Sequence, residues 1–248
     1  SAWEIFTPLI CGATLVIPAP EVIRDAYQHV AAIRDYQITL LQTVPSFLSL
    51  LLDEDEIGSC SSLRRIFFGG EAASSTMLPK MQRLKARFYN LYGPTEACID
   101  VTCWPCDSDF QGDILPIGFE NDHVQIDILD EQLKPVPTGQ TGEIVISGPC
   151  VARGYIGNKE ETGQRFLELG LCGPYKSYRT GDIGVRSSYG YLEFRSRLDS
   201  QIKIGGVRCE PAEIENLMMS YPGIKLASIT IEGTGVSLSL CAHIEPDA

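Results

Sequence analysis

Arg87-Phe88-Tyr89-Asn90-Leu91-Tyr92-Gly93-Pro94-Thr95-Glu96 is the stretch whose reading decides the fold. Arg87 to Leu91 reads as a strand, and Gly93 lets the backbone turn and come close to a ligand at the strand's end. Upstream, Arg65-Ile66-Phe67-Phe68 is a second strand closed by Gly69-Gly70, and Ile38 to Thr43 a third. Ala13 to Ile17 reads as one more. Helices are expected between them. Val22, Ile23, Ala26, Val30 and Ile33 share one helical face, Pro45 opens a Leu-rich helix through Leu52, and Ser74 or Ser75 caps one bearing Met77, Met81 and Leu84. Pro79 is tolerable there only in the first turn. This alternation predicts an α/β fold with a mostly parallel sheet, whose ligand sites lie at the carboxyl ends of its strands.

Beyond about Asp107 the rhythm changes. Val124, Ile126 and Ile128 alternate with polar residues, Glu143 to Ser147 is another short strand, and Pro137-Thr138-Gly139 and Tyr189-Gly190 are turns. This part is β-rich. Past Arg197 the pattern restarts with a strand at Gln201 to Ile204, a helix from Pro211 through Met219, and strands at Ala227 to Ile231 and Ser237 to Ala242. The expected organisation is a large unit over 1–198 and the start of a small α+β unit over 199–248.

With 248 residues, 44% hydrophobic and 21% charged, the composition is that of an ordinary globular chain. No apolar run reaches the roughly 18 residues of a membrane span. The net charge of −12 argues against nucleic-acid and anionic-membrane surfaces. A phosphate ligand remains compatible with it, since backbone N–H groups and a metal can hold one. Nine scattered cysteines, including Cys103-Trp104-Pro105-Cys106, lack the spacing of a disulfide framework or a zinc site and read as reduced cytosolic thiols. The chain opens at Ser1 within what reads as a structured segment, so it is expected to be a piece of something longer.

Three loop-like segments carry chemistry. In the first, Thr95 offers a hydroxyl to a phosphate oxygen and Glu96 a hard oxygen ligand for Mg²⁺. In Tyr178-Arg179-Thr180-Gly181-Asp182, a carboxylate after a glycine turn can grip the vicinal hydroxyls of a ribose. The third, Arg197-Leu198-Asp199-Ser200-Gln201-Ile202-Lys203, spans the expected boundary. With Ser1 to Phe6, with Gly142 to Gly148 running into Val151-Ala152-Arg153-Gly154-Tyr155, and with the continuation to Glu215, these blocks resemble the adenylate-forming superfamily. Within it they are most similar to adenylation domains of nonribosomal peptide synthetases. The resemblance covers essentially the whole chain. Phe194 for a more usual Tyr, Ser196 for Gly, Gly205 for Arg and Pro211-Ala212 for Leu-Gly depart from the family's wording.

The resemblance implies the adenylate-forming fold, in part: the α/β sheet, a barrel-like β-rich portion and a truncated C-terminal lid. It implies ATP and Mg²⁺, with Asn90 and Tyr92 at the adenine beside Gly93, Thr95 at the α-phosphate and Glu96 on the metal. Asp182 falls to the ribose, Arg197 to the ribose-phosphate end and Phe194 to the nucleoside, and Asp199 to the hinge. Trp3, Gln42, Phe67, Gly69, Leu91, Ile99 and Asp100 align with the substrate pocket, although Phe67, Leu91 and Ile99 also read as plain core beside strands. Gln42 and Asp100 favour a polar substrate side chain, glutamine first, then glutamate or serine. The implied partners are an amino acid, a peptidyl carrier domain with its phosphopantetheine arm, a condensation domain and a small helper protein. The family's phosphate loop, amino-group aspartate and catalytic lysine fall outside the 248 residues, so the chain alone is expected to be inactive. An acyl- or aryl-CoA ligase and a non-catalytic partner-binding fragment stand as the other readings.

Overall fold

The computed structural model describes residues 2–106, 110–199, 201–233 and 239–246. Ser1, Asp107, Ser200, Ser237 and Leu238, which carry sequence expectations, lie outside these. The chain opens with helices α1 (Ala2–Ile10), α2 (Pro20–Arg24) and α3 (Ala26–Asp35). Strand β1 (Leu40–Thr43), helix α4 (Pro45–Asp53), strand β2 (Arg65–Gly69), one-turn helix α5 (Leu78–Met81) and strand β3 (Arg87–Tyr92) follow. β1, β2 and β3 are parallel neighbours. The connections through α4 and α5 provide the crossovers that parallel pairing requires. Between sheet and helices lies a core built on Leu48, Leu51, Leu52, Ile66 and Phe68, all essentially inaccessible.

The sheet then becomes mixed. β4 (Thr102–Pro105) runs antiparallel to β3, and β5 (Phe119–Glu120) antiparallel to β4. A short turn with no crossover helix joins β3 to β4, so the chain can only reverse. A second, antiparallel sheet has the order β10 (Leu192–Arg197), β9 (Ser177–Arg186), β7 (Thr141–Ser147), β6 (Gln125–Leu129), with β8 (Phe166–Leu167) also pairing with β9. Helix α6 (Lys159–Arg165) precedes β8. The two sheets are stitched where the Leu192 N–H donates to the Gly118 carbonyl at 2.8 Å and the Ile117 N–H to the Leu192 carbonyl at 2.9 Å. A side chain at Gly118 would meet the Cys103 carbonyl oxygen at 2.1 Å, so only glycine admits this seam.

The C-terminal segment holds the hairpin β11 (Ile202–Ile204) and β12 (Val207–Cys209), helix α7 (Pro211–Met219) and the pair β13 (Ile224–Glu232) and β14 (Ser239–Pro246). Gly205 and Gly206 both take positive φ, +56° and +76°. That is the demand of a tight two-residue hairpin turn, and it accounts for glycine at 205.

Three expectations need correction. Ala13 to Ile17 is not a strand: it is irregular chain, Ile17 is 80% exposed, and no described strand pairs with it. Apolar β-branched content does not make a strand where no neighbour offers ladder hydrogen bonds. The helix expected over Val22 to Ile33 is two, because Asp25 is extended and its carboxylate accepts the Gln28 N–H at 3.0 Å, capping α3 afresh. Ser74 does act as a cap, accepting from the Thr76 N–H, but the helix is only a 3₁₀ turn followed by α5, with Leu84 beyond it. Among the described residues no helix is long and apolar enough to cross a membrane.

Phe68 has no accessible surface on the central strand β2. Phe68→Ala is expected to lower unfolding stability by about 3–5 kcal/mol, read as a fall in the urea midpoint at unchanged slope.

Candidate functional site

The carboxyl ends of β2 and β3 open onto two cavities that share Gly70 and Gly93. Parallel strands present unpaired backbone there, and the two glycines keep it uncovered. The smaller cavity, about 270 Å³, is lined by Asn90, Tyr92, Gly93, Asp182, Phe194 and Arg197, and also by Lys203 from β11. Residues from all three loop-like segments, together with Phe194, therefore face one space.

Asp182 is its fixed point. It is 5% exposed on β9. One carboxylate oxygen accepts the Tyr92 hydroxyl at 2.6 Å and the other accepts the Arg197 Nη1 at 2.6 Å. Burial, then the Asp182 charge and hydrogen bond, push the Tyr92 phenol well above its ordinary value, so it stays a donor. Each carboxylate oxygen keeps a second lone pair for a further donor. The turn before Asp182 is held from beneath. Glu143, also 5% exposed, accepts Arg179 at Nε and Nη2 (2.9 and 2.6 Å) and the Gly181 N–H at 3.0 Å.

Arg197 also forks onto Asp199, Nε to Oδ1 at 2.7 Å and Nη2 to Oδ2 at 2.9 Å. Burial opposes the Asp199 charge, but the guanidinium wins and its carboxyl sits below the ordinary value. Asn90 is 2% exposed; its Nδ2 donates to the Pro116 carbonyl at 2.8 Å, leaving Oδ1 buried without a partner. An unsatisfied buried acceptor is costly unless a ligand supplies a donor, as an exocyclic amine of a purine does. Lys203 is half-buried here, and desolvation is the chief cause holding its amine below the ordinary value, against the opposing Asp182 charge.

Thr95 and Glu96 stand apart from this wall. They lie on a 3₁₀ turn, Thr95–Ala97, three residues beyond Tyr92, with Thr95 exposed and Glu96 only 8% exposed. Glu96 Oε1 accepts the Tyr155 hydroxyl at 2.8 Å and Arg208 Nη1 at 2.7 Å, while Oε2 is buried without a partner. The Ala152 N–H donates to the Glu96 carbonyl at 2.8 Å, tying the Val151-to-Tyr155 block to this turn. Burial raises the Glu96 carboxyl, but Tyr155 and Arg208 together hold it below its ordinary 4.5. Among the described residues no group of three His, Cys, Asp or Glu could cage a metal. One carboxylate with an unpaired oxygen instead fits Mg²⁺ in its usual manner, shared with phosphate oxygens.

The larger cavity, about 670 Å³, takes Gln42, Gly69, Ile99 and Asp100 from the expected substrate pocket, together with Glu4, Ser46, Gly205 and Gly206. Gln42 Oε1 is buried without a partner. Burial raises the Asp100 carboxyl, with the Trp3 indole opposing and the Glu4 charge adding to the rise. Ile99 carries φ +80°, a strained conformation for a β-branched residue. It is held by the Ile99 N–H bond to the Pro94 carbonyl. Trp3, Phe67 and Leu91 are not on this wall. Trp3 meets Phe67 edge-on at 5.5 Å, Phe67 stacks on Tyr89 at 5.1 Å, and Leu91 faces the smaller cavity.

Residues 1–156 match the family model of the AMP-binding enzymes. The chain belongs to the AMP-binding enzyme family. Within it, the likeness runs to adenylation domains of nonribosomal peptide synthetases. The chain is 36% identical to tyrocidine synthase 3 of Brevibacillus parabrevis over 95% of its own length and 4% of that protein. It is 35% identical to enterobactin synthase component F of Shigella flexneri over 92% of its length and 18% of that protein. The Vibrio cholerae adenylation domain AlmE, solved with glycyl-adenosine-5'-phosphate, superposes with a TM-score of 0.86 at 28% identity, covering 98% of this chain and 47% of that one. A synthetase protein containing adenylation and PCP domains gives 0.83 at 26% identity over 99% and 50%. The chain thus spans half or less of these relatives.

Sequence reading missed Tyr155, Arg208 and Lys203 as site residues. Tyr155 and Lys203 stood inside quoted motifs, but nothing local says that a phenol 59 positions away reaches Glu96. Arg208 stood in the continuation to Glu215, 112 positions from the Glu96 it meets.

Glu96 also predicts a pH effect. Its carboxyl is depressed in the folded chain, so its stabilising contribution is present above the unfolded value and is lost as pH falls through the folded one. The stability difference between the wild type and Glu96→Gln, from urea titrations across a pH series, should shrink steadily on acidification below pH 4.5.

Proposed function

We propose that this chain forms about half of a unit that activates an amino acid with ATP as an aminoacyl-adenylate, for transfer to the phosphopantetheine thiol of a carrier domain. The observation that carries the reading is Asp182, buried between Tyr92 and Arg197 in one cavity with the unpaired Asn90 oxygen, and adjoining a second cavity at Gly70 and Gly93. The smaller space takes the nucleoside and the larger the amino-acid side chain.

Asp182 accepts the ribose hydroxyls through its spare lone pairs, with Arg197 and Tyr92 holding it in place. Asn90 Oδ1 accepts from the adenine amine, beside the Tyr92 and Phe194 rings. Gly93 leaves room for the α-phosphate where the cavities meet, and Thr95 offers it a hydroxyl. Glu96 would hold Mg²⁺ through its unpaired Oε2, and the ion would supply neutralising charge to the phosphate oxygens. The amino acid's carboxylate attacks the α-phosphorus of ATP in line, and the bond to pyrophosphate breaks. The protein's contribution to that step is alignment and charge stabilisation.

Gln42 and Asp100 give the side-chain pocket hydrogen-bonding walls, and the Gln42 acceptor without a donor favours glutamine. Residues 1–198 are the core of the unit and 199–248 the beginning of its lid, with Asp199 at the hinge. The likeness to peptide synthetases supports an amino acid over a free fatty or aryl acid.

Losing one preorganised charge-stabilising contact costs about 100- to 1000-fold. The phosphate loop and lysine lie outside these 248 residues, so the chain alone should give no glutamine-dependent pyrophosphate exchange above background. It should still bind a fluorescent ATP analogue, about 10- to 100-fold more weakly as Asp182→Ala. The complete unit should exchange with glutamine ahead of glutamate and serine. Exchange driven by aryl or fatty acids instead would overturn the assignment.

A further inference from the structure

The hairpin β11–β12 reaches back across the chain to the core, and the contact at its tip has no role in the reading above. Glu71 follows Gly69-Gly70 at the end of β2. One of its carboxylate oxygens accepts the Gly206 N–H at 2.8 Å and the other accepts the Ser46 N–H, in the first turn of α4, at 3.0 Å. Ser46, Gly70 and Gly206 all line the larger cavity. The fit at the tip is close. A Cβ at Gly206 would lie 2.5 Å from Val44 Cγ1, and one at Gly70 would lie 3.9 Å from the Gly206 Cα.

We infer that Glu71 is a positioning residue, a two-armed clasp that seats the Gly205-Gly206 tip as one wall of the larger cavity and fixes that wall to the N-terminal turn of α4. The chemistry requires a carboxylate. Both arms are N–H donors, and only an ionised acid presents two acceptors on one planar group. A glutamine keeps the shape but turns an amide donor toward one of the two N–H groups. An alanine removes both acceptors. The clasp links the hairpin to the segment carrying Gln42, since β1 runs through Thr43 and Val44 straight into α4. That the wall bounds the side-chain pocket rests on the function proposed above; the clasp itself does not.

Site-resolved amide hydrogen exchange on the 248-residue chain tests it. In Glu71→Ala, exchange at Gly206 and across residues 205–207 should rise about 10- to 100-fold, the loss expected for hydrogen bonds to a charged acceptor. The amides of β2 and β3 should stay protected, which shows that the variant folds. In Glu71→Gln, Gly206 or Ser46 should also accelerate, whereas a packing role would leave this isosteric variant like the wild type. Gly206→Ala, which displaces the tip without touching Glu71, should free the same residues. Unchanged exchange at 205–207 in folded Glu71→Ala, or a wild-type pattern in Glu71→Gln, would overturn the clasp. Binding of the fluorescent ATP analogue, measured on the same samples, reports on the nucleotide cavity independently. Its absence in wild type together with an intact clasp would sink the proposed function and leave this inference standing.

Discussion

Asp182 sits at 5% exposure with a phenol donating to one carboxylate oxygen and a guanidinium to the other. Three strands from two sheets supply these groups: Tyr92 ends β3, Asp182 lies in β9 and Arg197 ends β10. A buried carboxylate is tolerable only when paired and hydrogen-bonded, so the energetic demand of this one group fixes how the antiparallel sheet meets the end of the parallel one. The seam at Gly118 and Leu192 meets the same demand from the backbone side. Glu143 extends it, holding the Gly181 turn so that Asp182 points into the cavity and not into solvent.

The second carboxylate centre, Glu96, is built differently. Asp182 has partners on both oxygens, whereas Glu96 has two donors on Oε1 and none on Oε2. Asp182 is braced on both oxygens with a lone pair left on each, whereas Glu96 is braced on one oxygen only. One of the Glu96 donors, Arg208, comes from the hairpin that Glu71 also grips. The core therefore holds the β11–β12 hairpin through carboxylates at the ends of two adjacent strands. The position of that hairpin and the ion pair on Glu96 are physically connected.

Under the proposed function, cavities meeting at Gly70 and Gly93 set two substrates side by side with the reacting atoms at the junction. Strain is concentrated near that junction. Ile99 holds φ +80° while a Cβ at Gly93 would lie 2.0 Å from the Ile99 carbonyl oxygen, so the turn after β3 is compressed against itself. Backbone in such a conformation persists only where its surroundings over-determine it, here through hydrogen bonds from Ile99 to Pro94 and from Val101 to Tyr92.

Periodicity along the chain determined the element types where burial is regular: the β-α alternation of the first part and the alternation of Ile126 and Ile128 each follow from side chains that face a core, while Pro211 marked the start of the last helix. It failed at Ala13 to Ile17, because a strand exists only by pairing and pairing is not a local property. Motif wording likewise marked Asn90, Tyr92, Asp182, Phe194 and Arg197, since their residue types carry the chemistry wherever they stand. What only the tertiary structure decided is which charges meet. Glu143 with Arg179, Glu96 with Arg208 and Glu71 with Gly206 join positions 36, 112 and 135 residues apart, and Trp3 and Phe67 turned onto each other and not into the cavity. Such pairings follow from close approach across packed sheets, and no spacing within the chain encodes that approach.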